Sequence, residues 1–304
     1  DIFYLSGQTK IRIKQSFIKS KEKFCFIKDE SKVDIENSQI SSENKLIDIN
    51  LISEVNIKNS KLENNNDIMI DVHNFGYVNI EKSELISPKV FIESQFATIK
   101  CSNSKISSGN SLVESQNNSK AYFFDNKING DMCKISGFLF SEIFLTGEFY
   151  VNNMDMNIEE NSEFIIKNSK ICALNKINIF KNDSKLFLLK NNIFQSKEFV
   201  FSDFQKTGII IDTCKIASHV KININQNFIK ILNSDIDNFE AEFQNTTAEF
   251  YSSKISDSMI KMIKSKLKIS KSKIFNNANK IFIKNESSQT SIRDSEIEGQ
   301  IQTS

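Results

Sequence analysis

At 304 residues the chain is long enough for a sizeable core, and its net charge of +1 gives no bulk attraction to nucleic acid or to an acidic membrane surface. Arg12 and Arg293 are its only arginines, and bidentate reading of phosphates and base edges rests on arginine, so nucleic acid is not an expected partner. No apolar run approaches the roughly 18 residues of a membrane span, so no membrane insertion is expected within this segment.

Taken in chain order, the sequence repeats one unit of about 22 residues, apolar-x-apolar-x-(Asn or polar)-Ser-x-Ile. Clear copies are Val33-Asp34-Ile35-Glu36-Asn37-Ser38-Gln39-Ile40 and Val55-Asn56-Ile57-Lys58-Asn59-Ser60-Lys61-Leu62. With the final Ile as anchor, the anchors are Ile18, Ile40, Leu62, Leu85, Ile106, Ile128, Tyr150, Ile171, Ile193, Ile216, Ile236, Ile255, Ile274 and Ile297. Tyr150 is the weakest of them. Five residues before each anchor the side chain is always apolar, and seven before it only Thr290 interrupts the column. That step of two is strand alternation with both side chains inward. The following step of three is odd, so the chain must turn a corner there.

Just past the corner stands a serine in ten copies, Ser38 and Ser60 among them, and just before it Asn37, Asn59, Asn103, Asn168 and Asn233 recur. A small hydroxyl in that place can bond the bent backbone or its neighbour one coil away, and Asn tolerates left-handed backbone. A third alternating stretch follows each anchor, as in Ile177-Asn178-Ile179 and Phe199-Val200-Phe201. The expected fold is therefore an all-β solenoid, about 14 coils of about 22 residues with three short strands each. At about 4.8 Å per coil this is a rod on the order of 65 Å long. A leucine-rich repeat has a similar period, but Ile, Val and Phe fill the columns where Leu should dominate, and the second half of each unit alternates by two.

The repeat resembles that of right-handed parallel β-helices, the superfamily that includes pectin-lyase-like proteins, over residues 11–304. The resemblance implies the architecture; some relatives cleave acidic polysaccharides on an outer face. Of the polygalacturonase-like signatures only Arg12-Ile13-Lys14 is present, at the wrong end of the chain and without the acids, and it reads as an ordinary coil. One β-helix domain is expected over 1–304, a segment of a longer chain because neither end carries an evident cap.

Candidate chemistry is sparse. His73 and His219 lie more than six coils apart, too far to meet in one site. Cys25, Cys101, Cys133, Cys172 and Cys214 form no metal-spaced pair and no obvious disulfide framework. Asp48, Asp71, Glu93 and Glu114 each follow the first apolar residue of a third strand, at close to the coil period, and should stack as a column of carboxylates. Such a column repels itself unless a cation or a basic partner relieves it, so these four are the candidate ligand stripe, with Ca2+ the one candidate cation and no cofactor otherwise expected. The competing reading is a solvated acidic face neutralised by nearby lysines. Lys264 and Lys284 are expected at the equivalent outward place late in the chain, and Phe75, Phe96, Phe138 and Phe140 are expected as an aromatic stack inside the coil.

These features point to a non-enzymatic rod, a scaffold, stalk or adhesin-like segment with protein partners or self-stacking at its ends, extracellular or at a cell surface. A polysaccharide-binding or -cleaving module using the carboxylate column is the alternative. A component of an intracellular assembly is a third reading, which unpaired cysteines would permit.

Overall fold

A computed structural model describes residues 2–66, 68–88, 90–203, 208–275 and 281–303. The chain is all-β, with no helix among the described residues, and its strands pair in parallel with their equivalents one coil away. It divides into two compact units, Asp1–Asn152 and Asn153–Ser304, each a β-solenoid. Counted over both units the coils number about 13.

In the first unit one coil runs through strands Lys10–Lys14, Phe17–Ser20 and Cys25–Ile27, and the next through Lys32–Glu36, Gln39–Ser42 and Ile47–Ile49. Register pairs Ile13 with Ile35, Ile18 with Ile40 and Cys25 with Ile47, so like positions stack on like. Alternation then sends Val33, Ile35, Ile40, Ile47 and Ile49 inward, all at most 1% exposed. Each such side chain contributes about 1.5–3 kcal/mol by leaving water. Cys25, Cys101, Cys133 and Cys214 belong to this buried set as free thiols, and burial pushes each thiol up to about 12, far from the thiolate chemistry of a reactive cysteine.

The corner between the first and second strands is built by two residues. Asn37 (φ 52°), Asn59 (47°), Lys82 (51°) and Asn103 (50°) take left-handed backbone and swing the chain. The serine that follows leaves its buried N–H pointing at the next coil. There the Ser60 hydroxyl accepts the Ser38 N–H at 3.1 Å and donates to the Lys58 carbonyl at 2.8 Å. The ladder runs from Ser16 through Ser38, Ser60 and Ser83 to Ser104. Asn126 ends it: its amide oxygen accepts the Ser104 N–H at 2.9 Å and its NH2 donates to the Cys101 carbonyl at 2.9 Å. The second unit repeats the device from Cys214 through Ser234, Ser253 and Ser272 to Ser295.

Two anchors are corrected by one residue. Tyr150 faces outward, its ring 5.5 Å from Lys127 Nζ, and Phe149 is the buried residue of that coil. The corner there is one residue shorter and turns on Gly147 (φ 129°), where a Cβ would lie 2.2 Å from the Asn126 carbonyl oxygen. Conversely Ile193 is 38% exposed and Phe194 takes the register with Ile171, because that corner holds two left-handed residues, Lys190 and Asn191. Lys264 is also corrected: it occupies a corner (φ 48°), and Lys261 takes the register with Lys284.

Removing one rung of the hydroxyl ladder should strand a buried N–H. Ser60→Ala is expected to cost about 1–2 kcal/mol in equilibrium denaturation, whereas Ser107→Ala, on an exposed serine, should change stability by less than about 0.5 kcal/mol.

Candidate functional site

The predicted carboxylates lie on the third strands of the first unit, Ile47–Ile49, Ile70–His73, Val90–Gln95 and Ser111–Gln116. Ile47 and Ile49 point inward, so the residue between them points out, and register carries that outward place up the stack. Asp48 pairs with Asp71, Asp71 with Glu93 and Glu93 with Glu114, about 4.8 Å apart. The same column begins with Tyr4 and Phe26, whose rings stack at 5.3 Å, and continues past Glu114 to Ser136.

Compensation along the column is uneven. Lys23 Nζ lies 2.6 Å from Asp48 Oδ2 and 5.1 Å from the centre of the Phe26 ring. Lys45 reaches both Asp48, at 3.9 Å, and Asp71. His73 Nε2 stands 2.5 Å from Asp71 Oδ1 but out of line for a hydrogen bond, so that buried oxygen accepts none. Asp71 is itself 6% exposed. At Glu93 the balance reverses: partial burial pushes its carboxyl above the usual carboxylate range, and the charges of Asp71 and Glu114 push it further, against a weaker pull from His73 and Lys45.

The lysines had a sequence signal of their own. Lys23 precedes its acid by 25 residues and Lys45 by 26, an offset slightly longer than a coil because each lysine sits before the third strand one level down. At the same offset before Glu93 the chain has Asp67, which lies outside the described residues. The sequence pattern thus supplies a cation for each of the first two acids.

The other candidates are scattered. Arg12 Nε is 3.9 Å from Asp34, Lys14 is 2.7 Å from Glu36, and Ile13 is buried between them. His73 and His219 belong to different units, and His219 Nε2 lies 3.5 Å from Glu240. Among the described residues no group of three or more His, Cys, Asp or Glu side chains is arranged to hold a metal ion. In the second unit a groove of about 550 Å³ runs over the third strands, walled by Lys221, Glu240, Met259, Glu242, Lys261 and Lys284. Its charges are already engaged, Lys261 with Glu242 at 3.0 Å and Lys284 with Glu286 at 2.9 Å. Sequence reading missed it because its walls are two outward columns whose members only the register stacks.

The raised carboxyl has a definite sign in stability. A carboxyl whose folded pKa lies above its unfolded value costs stability once pH passes the unfolded value of about 4.3, and the cost is full above the folded value. Glu93→Gln is therefore expected to raise the melting temperature at pH 7 by about 1–2 °C, small because solvent screens a half-exposed group. The gain should vanish below about pH 4, which paired thermal melts across pH would check.

No helix among the described residues is long and apolar enough to cross a membrane. Comparison with protein-family models, with curated proteins and with solved structures yields no match.

Proposed function

We propose that this chain is a non-enzymatic β-helical rod of the right-handed, pectin-lyase-like kind, acting as a scaffold, stalk or adhesin-like segment of a larger surface protein or assembly. The observation that carries this reading is the engagement of outward charges with one another from coil to coil. On the first strands of the first unit Lys14 meets Glu36 at 2.7 Å, Lys32 meets Glu54 at 2.6 Å and Lys58 meets Glu81 at 3.4 Å. In the second unit Glu249 lies between Lys230, at 3.3 Å, and Lys268, at 3.1 Å. Such pairs contribute little stability each, about 0–1 kcal/mol, but on these strands they engage the outward charges with one another instead of leaving them to receive a substrate. Most corners are turned by one or two left-handed residues, which leaves little loop to wall a catalytic groove.

A polysaccharide-binding or -cleaving module is the second reading, favoured by Glu93. A carboxyl that burial and neighbouring charges make harder to ionise, paired in register with a second carboxyl at Glu114, puts two acidic side chains side by side as a general acid-base pair requires. The test is incubation with polygalacturonate and alginate, with and without millimolar Ca2+, following unsaturated products by ultraviolet absorbance and new reducing ends. The scaffold reading expects neither product nor a Ca2+-dependent rise in melting temperature. Product formation that disappears in Glu93→Gln would overturn it.

A further inference from the structure

Among the described residues the corner joining third to first strands is turned by left-handed residues, and most of them are polar. In the first unit these include Asp29, Glu30, Asn74, Asn117 and Asn118; in the second they include Glu160, Asn161, Asp183, Gln226, Asn245, Lys264 and Ser287. Among the described residues five are bulky and apolar, and all five lie in the first unit: Leu51 (φ 57°), Phe75 (72°), Phe96 (50°), Leu139 (52°) and Phe140 (63°). Left-handed backbone costs an ordinary residue roughly 1–2 kcal/mol, and Asn or Asp would relieve part of that. Contrary to the expected inward stack, these side chains also face water: Phe75 is 71% exposed, Phe140 58%, Leu51 42%, Phe96 41% and Leu139 40%. Phe138 alone of the four expected phenylalanines is half-buried. Ile52, beside Leu51, is 67% exposed. Each of the five is thus unfavourable twice over in the isolated chain, in backbone and in hydration.

They form one ridge. Asn74 Nδ2 donates to Asn50 Oδ1 at 2.7 Å, the Phe75 N–H to the Phe96 carbonyl at 2.7 Å, the Phe96 N–H to the Asn117 carbonyl at 3.2 Å and the Asn118 N–H to the Leu139 carbonyl at 2.8 Å. The corners of five successive coils therefore stack directly, and the Phe75 and Phe96 rings lie 6.2 Å apart. The flank before these corners carries Asn50, His73, Gln95 and Gln116, so an aromatic and aliphatic crest is rimmed by polar side chains, three of them amides. That is the make-up of an interface core and rim. The exposed apolar area is on the order of 500–600 Å² per copy, at the top of what a monomer usually shows and enough for a modest dimer of about 1,200 Å² in total.

We propose that the ridge is an isologous interface between two copies of this chain, packed antiparallel about a two-fold axis at Phe96. A second copy presents five turns at the same spacing of about 4.8 Å by construction and so matches the ridge along its whole length. With Phe96 as the middle coil, Leu51 and Ile52 meet Leu139 and Phe140. Phe75, the most protruding side chain, meets Asn117 and Asn118, the one coil of the ridge without an apolar side chain. The order of large and small along the ridge complements itself when reversed.

Analytical ultracentrifugation of the 304-residue chain from about 1 to 200 μM tests this. Wild type is expected to pass from monomer to dimer within that range, and Phe75→Asn/Phe96→Asn to weaken dimerisation at least about 30-fold. Because Asn suits left-handed backbone, the same variant should melt at or above the wild-type temperature as a monomer, which separates lost association from lost folding. Leu139→Asn/Phe140→Asn should act alike, and Asn161→Ala, on the equivalent corner of the second unit, should leave association unchanged. A wild type that stays monomeric to 200 μM, or a double variant that dimerises as tightly as wild type, overturns the proposal. So does a monomer that uses these phenylalanines to bind a glycan or an unrelated protein.

Discussion

A backbone N–H buried at a bend has lost water and needs another acceptor. In this chain the acceptor at the first corner is a side chain one coil further on: Ser60 receives the Ser38 N–H, Ser83 receives that of Ser60, and Ser253 receives that of Ser234. Each hydroxyl also donates to the carbonyl two residues before it, so it fastens its own bend while completing its neighbour's. The corner is therefore fixed relative to the next corner, and the strands on either side inherit a register that pairs identical positions. Inward columns of isoleucine, valine and phenylalanine follow from that register and do not need to specify it.

The same stacking constrains the surface. In a coil that repeats itself, an outward residue has its own equivalents as nearest neighbours above and below. A charge must then alternate with its opposite, as Lys61 and Glu84 do at 3.8 Å, or repel its like at about 4.8 Å. The column from Asp48 to Glu114 takes the second course and is relieved from outside itself, by Lys23, Lys45 and His73, over its first half. Glu93 bears the remainder as a carboxyl that resists ionising. Calcium is not needed to explain how Asp48 and Asp71 coexist, since lysines already lie against both.

Much of this architecture was legible in the residues because the solenoid repeats its reasons along with its residues. Asn37 and Asn59 announce left-handed corners, Ser38 and Ser60 announce the hydroxyl ladder, and the spacing of Asp48, Asp71, Glu93 and Glu114 announces a column; the backbone angles and pairings agree at each. What misled was the assumption that an apolar residue near the anchor is the anchor. Strand side chains alternate with period two, so one residue gained or lost at a corner turns the following strand over. Gly147 absorbs a loss and exchanges Tyr150 for Phe149; the pair Lys190 and Asn191 absorbs a gain and exchanges Ile193 for Phe194. The lysines of the acidic column were missed for a related reason, since their offsets of 25 and 26 residues do not match the repeat that organises everything else.

The phenylalanines of the corner joining third to first strands were misread on hydrophobicity alone, and the geometry explains why that rule fails there. A left-handed residue at a corner between two strands points its side chain out of the turn, so position overrides preference: whatever is placed at Phe75 or Phe96 faces water. The sequence could satisfy such a corner with Asn or Asp, and in most coils it uses a polar residue. Among the described residues the five bulky apolar exceptions lie on one ridge, and they add up to several kcal/mol of backbone strain by the usual cost per residue, before the exposed rings are counted. Against a folded state typically stable by only about 5–15 kcal/mol, that is a large cost in the isolated chain. The acidic column, by contrast, costs little over Asp48 and Asp71, because Lys23 and Lys45 already offset their charge, and its remaining cost falls on Glu93. Of the two unusual features on this surface, it is the apolar ridge whose cost in the isolated chain is the larger, and a cost of that kind is offset when the ridge is covered.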